Sequence, residues 1–278
     1  MQSVNRFIFL VVRDSILDRP ATPLTTPARI ALGAAGVAIS TREHLRFQLD
    51  HALARDAVHA QMDVPLLLRG LKERGLEGLA LRSAAPDRRS YLLRPDHGRT
   101  LHPDSVAALQ QALEPGDPRL DSETWVEAAQ PPRILFLLAD GLSALAVERH
   151  ALPLLDATLP LIRHLYPQIP VLTNARVALT DPIGQLLRAR MTVLLIGERP
   201  GLSSPDSLGV YLTWDPRPGR TDAERNCISN IRQEGLSYAE AAQRIAHYIA
   251  EAQRLLATGI ALKDPVRPAP LQSPGGSA

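Results

Sequence analysis

A charged turn, Gly197-Glu-Arg-Pro-Gly201, follows directly on the apolar run Met191-Thr-Val-Leu-Leu-Ile196. A carboxylate and a guanidinium side by side at a strand end can accept and donate hydrogen bonds to a polar ligand, with glycine and proline shaping the backbone around it. The same residues also read as a solvated turn in which Gly197 and Gly201 only permit the bend. A second junction of this kind, Ile134-Leu-Phe-Leu-Leu138 into Asp140-Gly-Leu-Ser143, places another carboxylate after a strand. Ser143 lacks the second glycine of a nucleophile elbow, which argues against a serine hydrolase. No Gly-x-Gly-x-x-Gly follows a strand and no Walker loop occurs, so nucleotide binding of the usual kind is unsupported. His44, His51 and His59 form neither an i,i+4 pair nor a His-Glu-x-x-His string, and read as an exposed or partner-facing surface; no metal site is expected. Cys227, alone, reads as a small hydrophobe rather than a nucleophile.

The elements that carry these residues follow from periodicity. From Thr41 the apolar positions Leu45, Leu49, Leu53 and Ala57 recur at helical spacing. Leu79-Ala-Leu81 and Tyr91-Leu-Leu93, separated by Pro86-Asp-Arg88, suggest a small hairpin. Residues 104 to 113 read as a helix stopped by Pro115-Gly116. The segment from Glu114 to Arg133 is polar and proline-bearing and marks an interdomain linker. Beyond it, unbroken apolar runs alternate with helical stretches. Ile134–Leu138 and Met191–Ile196 read as strands buried on both faces, with Val171-Leu172 and Arg176–Leu179 as weaker strands and Asp181–Arg188 as a short helix. That pattern predicts a parallel sheet covered on both sides. In such a sheet ligands sit outside the carboxyl ends of the strands, so Asp140 and Glu198 are expected on one rim. Ser237-Tyr-Ala-Glu240 is a capping box that opens a long terminal helix.

The fold class expected is therefore α/β: a Rossmann-like parallel-sheet domain over residues 130–263, preceded by a smaller, mainly helical domain over residues 26–120. Residues 1–25 form an atypical N-terminal segment, and the Pro-, Gly- and Ser-rich tail 264–278 is expected to be disordered.

Composition narrows the function classes. Of 278 residues 45% are hydrophobic and 22% charged, enough for a sizeable core. The 31 basic and 29 acidic residues nearly balance, and no cluster of basic residues offers a footprint for nucleic acid. A single cysteine excludes an intrachain disulfide framework and fits a reducing cytosol. The run Phe7–Val12 is too short for a signal segment or a membrane span, so no membrane role is expected.

Several strings then carry a family likeness. Ala139-Asp-Gly-Leu-Ser-Ala144, Gly197-Glu-Arg-Pro-Gly-Leu202, Ser207-Leu-Gly-Val-Tyr211 and above all Asn226-Cys-Ile-Ser-Asn-Ile231 resemble the small (light) subunit of ethanolamine ammonia-lyase. So do Arg94-Pro-Asp-His-Gly-Arg99 and Thr26-Pro-Ala-Arg-Ile-Ala-Leu-Gly33, and the likeness runs from about Thr26 to Asp264. The resemblance implies an adenosylcobalamin-dependent lyase that converts ethanolamine to acetaldehyde and ammonia, the cofactor supplying the radical chemistry. It implies a large-subunit partner, a TIM barrel that holds the ethanolamine, in an assembly of six large and six small subunits. The small subunit closes over the cobalamin at their interface and carries no catalytic residue of its own. The family's cobalamin contacts fall here on Val177, Glu198 and Cys227. With no Asp-x-His-x-x-Gly string, the cofactor is expected to keep its own dimethylbenzimidazole on cobalt. The location implied is cytoplasmic, or inside a bacterial microcompartment. The alternative is a structural partner that stabilises the large subunit without touching cofactor; a stand-alone enzyme acting on a phosphorylated or nucleotide substrate would need a self-sufficient catalytic set, and none can be assembled.

Overall fold

The computed structural model describes residues 34–35, 38–112, 133–163, 165–166 and 168–263. The expectations for residues 1–25, for most of the 114–133 linker and for the 264–278 tail lie outside the described residues.

A two-residue antiparallel pair, β1 (Ala34–Ala35) and β2 (Ala38–Ile39), precedes helix α1 (Thr41–His59). The Ser40 side chain accepts the Glu43 N–H and caps that helix. Helix α2 (Val64–Glu73) leads into β3 (Glu77–Arg82). Helices α3 (Arg88–Leu93) and α4 (Pro103–Ala112) follow. The remainder runs β4 (Ile134–Ala139), α5 (Ala144–Thr158), β5 (Gln168–Thr173), α6 (Thr180–Leu186), β6 (Met191–Gly197), β7 (Leu208–Trp214), β8 (Arg225–Ile231) and α7 (Tyr238–Leu255).

Six strands form one sheet in the order β3-β5-β4-β6-β7-β8. The first four are parallel, while β7 and β8 return antiparallel as a meander. The sheet is therefore mixed rather than wholly parallel as expected. A ten-residue loop after β6 leads back into β7 with no crossover helix, and a direct return of that kind can only pair antiparallel.

Alternation along the central strands builds two cores. Ile134, Phe136 and Leu138 of β4 pack with Val193 and Leu195 of β6 beneath α2, α5 and α7. Leu135, Leu137 and Ala139 face the opposite side with Leu194 and Ile196, beneath α4 and α6. Burial on both faces is why these strands read as unbroken apolar runs.

Two local expectations are corrected, and one helix turns a different face from the one its apolar spacing would suggest. Tyr91–Leu93 is helical, because Asp87 accepts the Ser90 N–H at 2.7 Å and caps α3. Its supposed hairpin mate is β3, which pairs parallel to β5, so residues before the 114–133 segment supply an edge strand of the main sheet. Arg176–Leu179 is a tight turn, its Arg176 N–H given to the Gly98 carbonyl rather than to a strand. The apolar positions of α1 do not face the core: Leu45, Leu49 and Leu53 are roughly half exposed and only Ala57 is buried.

Candidate functional site

The chain after β4 passes through α5 on one face of the sheet, and the chain after β5 passes into α6 on the other. Adjacent parallel strands whose connections leave to opposite faces open a crevice at their carboxyl ends. Asp140 sits at the end of β4 there, buried. Its carboxylate accepts the Asn174 N–H at 2.8 Å and the Ala175 N–H at 3.1 Å, tying the β5 turn to the β4 turn. Arg88 reaches in from α3, donating to the Asp140 carboxylate at 3.3 Å, the Gly141 carbonyl at 2.8 Å and the Val58 carbonyl at 2.7 Å. Burial outweighs these favourable contacts and pushes the Asp140 carboxyl up to about 6.

The Asp140 and Glu198 turns share one rim, as expected, because Ala139 is in register with Ile196. They also interlock. Leu142 N–H donates to the Gly197 carbonyl at 2.9 Å. A side chain at Gly197 would strike the Ser143 and Asp140 carbonyls, and one at Gly141, whose φ is +52°, would strike Gly197. Both glycines thus answer to a close backbone approach.

Between these turns lies a cleft of about 430 Å³, lined by residues that include Tyr91, Leu142, Arg176, Val177, Glu198 and Tyr211. Glu198 is half-buried and held asymmetrically. Its Oε2 accepts from Ser207 Oγ at 2.5 Å and Asn230 N–H at 3.2 Å. Its Oε1 has no hydrogen-bond partner among the described residues. The carboxylate lies against Gly209, where an added Cβ would come within 2.9 Å of Oε1. Val177 shares the cleft wall. Cys227 does not line it; it stands on β8 in register with Tyr211 on β7, which does. The Cys227 residue is exposed, yet crowding around its sulfur outweighs the hydrogen bonds with Ser229 and Tyr211 and pushes the thiol pKa up, so the thiolate is disfavoured. The structure thus brings Val177 and Glu198 into one cleft and leaves Cys227 one strand away.

Tyr91, Arg88 and Arg176 were not singled out from the sequence. They come from segments far apart in the chain, and no short motif marks them. The Arg94–Arg99 string meets them at Gly98, which accepts the Arg176 N–H at 2.8 Å and whose missing side chain leaves room for Tyr91 and Arg176.

A larger cavity, about 930 Å³, lies between the β6–β7 and β8–α7 connections. There His150 bridges Tyr238 Oη at 2.7 Å and Asp206 at 3.3 Å, Arg149 pairs with Asp206, and Arg232 pairs with Glu234. Each of these charged groups already has a partner in the chain, so size alone does not make this the binding site. Among the described residues no group of three or more His, Cys, Asp or Glu side chains is placed to hold a metal ion.

The fold and the cleft define the class: an α/β protein with a doubly covered, mostly parallel sheet and an open cleft at the carboxyl ends of its parallel strands. The family model described as "Ethanolamine ammonia-lyase light chain (EutC)" matches residues 21–263. The chain is 52% identical over 254 residues to the ethanolamine ammonia-lyase small subunit of Azotobacter vinelandii, covering 90% of this chain and 89% of that one. It is 50% identical over 257 residues to the protein of the same name from Pseudomonas paraeruginosa, with the same coverage. It is 51% identical over 243 residues to that of Bradyrhizobium diazoefficiens, covering 86% and 87%. The chain belongs to the ethanolamine ammonia-lyase small-subunit family, and is a subunit of a lyase.

Proposed function

We propose that the chain forms one wall of an adenosylcobalamin site, closed by the large subunit of an ethanolamine ammonia-lyase that turns ethanolamine into acetaldehyde and ammonia. The single observation that carries this is Glu198, which lines the cleft with Val177: one carboxylate oxygen is anchored by Ser207 and Asn230 while the other has no hydrogen-bond partner among the described residues. A corrin is fringed with carboxamides, whose N–H groups suit such an acceptor. The buried, unpartnered Nε of Arg176 in the same cleft adds a donor to the set, so the residues present fit the group.

When bound, the cofactor supplies the radical chemistry, and this chain's share is to bind, orient and shield. Val177 and Leu142 offer apolar contact, Glu198 an acceptor, and Cys227 and Tyr211 a neutral surface that adds no charge. The cleft is open and smaller than the cofactor, so a second wall must come from the partner. The exposed ridge Leu45, Leu49 and Leu53 is in keeping with a subunit built to work in an assembly. Ligand capture at the carboxyl ends of the parallel strands is what makes the sheet domain Rossmann-like in behaviour. The six-plus-six stoichiometry belongs to the same proposal, as does a cytoplasmic or microcompartment location; no helix among the described residues is long and apolar enough to cross a membrane.

Glu198→Ala in the assembled enzyme is expected to weaken adenosylcobalamin binding by about 1–3 kcal/mol, the range for hydrogen bonds to a charged group, without loss of assembly. Glu198→Gln, which keeps one acceptor, is expected to lose less. Equal cofactor affinity for wild type and Glu198→Ala, read from the visible absorption of the bound corrin, would favour a structural partner that stabilises the large subunit without touching cofactor.

A further inference from the structure

Arg176 occupies the turn between β5 and α6, one residue before Val177, and lines the cleft. Its guanidinium lies over the Tyr91 ring with the central carbon 4.3 Å from the ring centroid. The ring itself cannot yield, being fully buried with its hydroxyl donated to the Ala175 carbonyl at 3.0 Å. The Arg176 backbone is fixed by its N–H to Gly98, and Gly98 has no side chain to disturb the stack.

What this arginine lacks is an anion. Among the described residues its guanidinium makes one hydrogen bond, a long one from Nη2 to the Tyr91 carbonyl at 3.4 Å, and its Nε is buried with no acceptor. Among the described residues no carboxylate comes within ion-pair distance of it; Asp140 is taken by Arg88 and two backbone N–H groups, and Glu198 by Ser207 and Asn230. A guanidinium carries five donors in a rigid fork. One of them, Nε, is buried without an acceptor, which is costly unless one arrives. Arg74, Arg82 and Arg225, by contrast, all have carboxylate partners.

We propose that Arg176 is a cofactor-binding residue: its guanidinium, laid on Tyr91 and with no carboxylate partner among the described residues, donates to an oxygen acceptor of the bound cobalamin. This rests on the cobalamin reading of the cleft. Two parts of the cofactor offer that chemistry, the carbonyl of a corrin side-chain amide and the phosphodiester of the nucleotide loop. Tyr91 and Gly98 are then positioning residues that act through Arg176, which gives the Arg94–Arg99 string a role in a site to which it contributes only support.

The test uses the assembled enzyme and adenosylcobalamin, with affinity read from the corrin spectrum. Arg176→Met keeps the apolar stem over Tyr91 and removes every donor; Arg176→Lys keeps a charged donor. Arg176→Met is expected to weaken binding about tenfold to a hundredfold, and Arg176→Lys distinctly less. Repeating the titration with adenosylcobinamide, which lacks the nucleotide loop, separates the two acceptors. The Arg176→Met penalty disappears if the phosphodiester is the acceptor and persists if a corrin amide is. Equal losses in Arg176→Met and Arg176→Lys would overturn the proposal, because they would report lost support for the turn rather than a lost donor. Wild-type affinity in Arg176→Met alongside weakened binding in Glu198→Ala would also overturn it while leaving the cobalamin reading standing. Wild-type affinity in both variants would overturn the two together.

Discussion

Asp140 holds three segments at one point, and its own chemistry sets a pH dependence. Its folded-state carboxyl is pushed up to about 6, above the value of about 3.9 expected in an unfolded chain. The folded state therefore binds this proton more tightly. The stabilisation from this group is fully present below about pH 4 and is lost as pH rises through about 6. Asp140→Asn has no such titration, so the stability of wild type relative to that variant should shrink between pH 4.5 and 7.5, by on the order of 2 kcal/mol. Urea unfolding of the purified chains at the two pH values checks it, and a pH-independent difference would mean that Arg88 and the two N–H groups outweigh burial. The second residue-scale expectation concerns Cys227. A thiol whose pKa is raised, one strand away from the cleft wall, is poorly suited to act as a nucleophile. In the enzyme assembled with the large subunit, Cys227→Ala should keep turnover at saturating cofactor; total loss of turnover with cobalamin still bound and the assembly intact would assign the sulfur a chemical role.

At the scale of elements, the β7–β8 meander must be held against the parallel part of the sheet, and a buried ion pair helps to do so. Arg225 at the start of β8 donates to both oxygens of Asp181 in α6, at 2.9 and 2.6 Å, with both side chains almost fully buried. Asp181→Ala leaves a guanidinium buried without its anion, so a loss of about 3–5 kcal/mol in unfolding free energy is expected, measured by denaturant titration. Arg225→Met combined with Asp181→Leu should recover much of it, since no charge is then stranded. Neither β7 nor β8 was legible as a strand. Gly209 interrupts the apolar run of β7 to make room for Glu198, and β8 buries Arg225, Ile228 and Ile231, every third residue across a register shift, which matches neither the strand nor the helix period. By contrast β4, β6 and α7 were legible, because burial on both faces and a capping box leave marks that single residues show. Tyr91–Leu93 was misread because three apolar residues fit either period; the Asp87 cap decided the matter. The rim positions Asp140 and Glu198 could be found since each follows an unbroken strand. Tyr91 and Arg176 meet only through tertiary packing.

The whole molecule determines what this chain can do by itself. Among the described residues its cleft offers a carboxylate oxygen on Glu198 and a buried Nε on Arg176, each without a hydrogen-bond partner, and no cluster of metal-ligating side chains. The His150, Asp206 and Tyr238 group lies in the other cavity, where its members bond one another. A catalyst needs groups placed within reach of the reacting bond, and binding groups alone do not lower the barrier of a chemical step. The purified chain, given adenosylcobalamin and ethanolamine, should therefore form no detectable acetaldehyde. Addition of the large subunit should restore turnover and, in the same titration, tighten cofactor binding, because the open side of the cleft then gains its second wall. Turnover by the chain alone would place the ethanolamine-handling residues on this subunit. Cofactor affinity of the large subunit unchanged by adding this chain would mean that the cleft at the switch point faces something other than cobalamin.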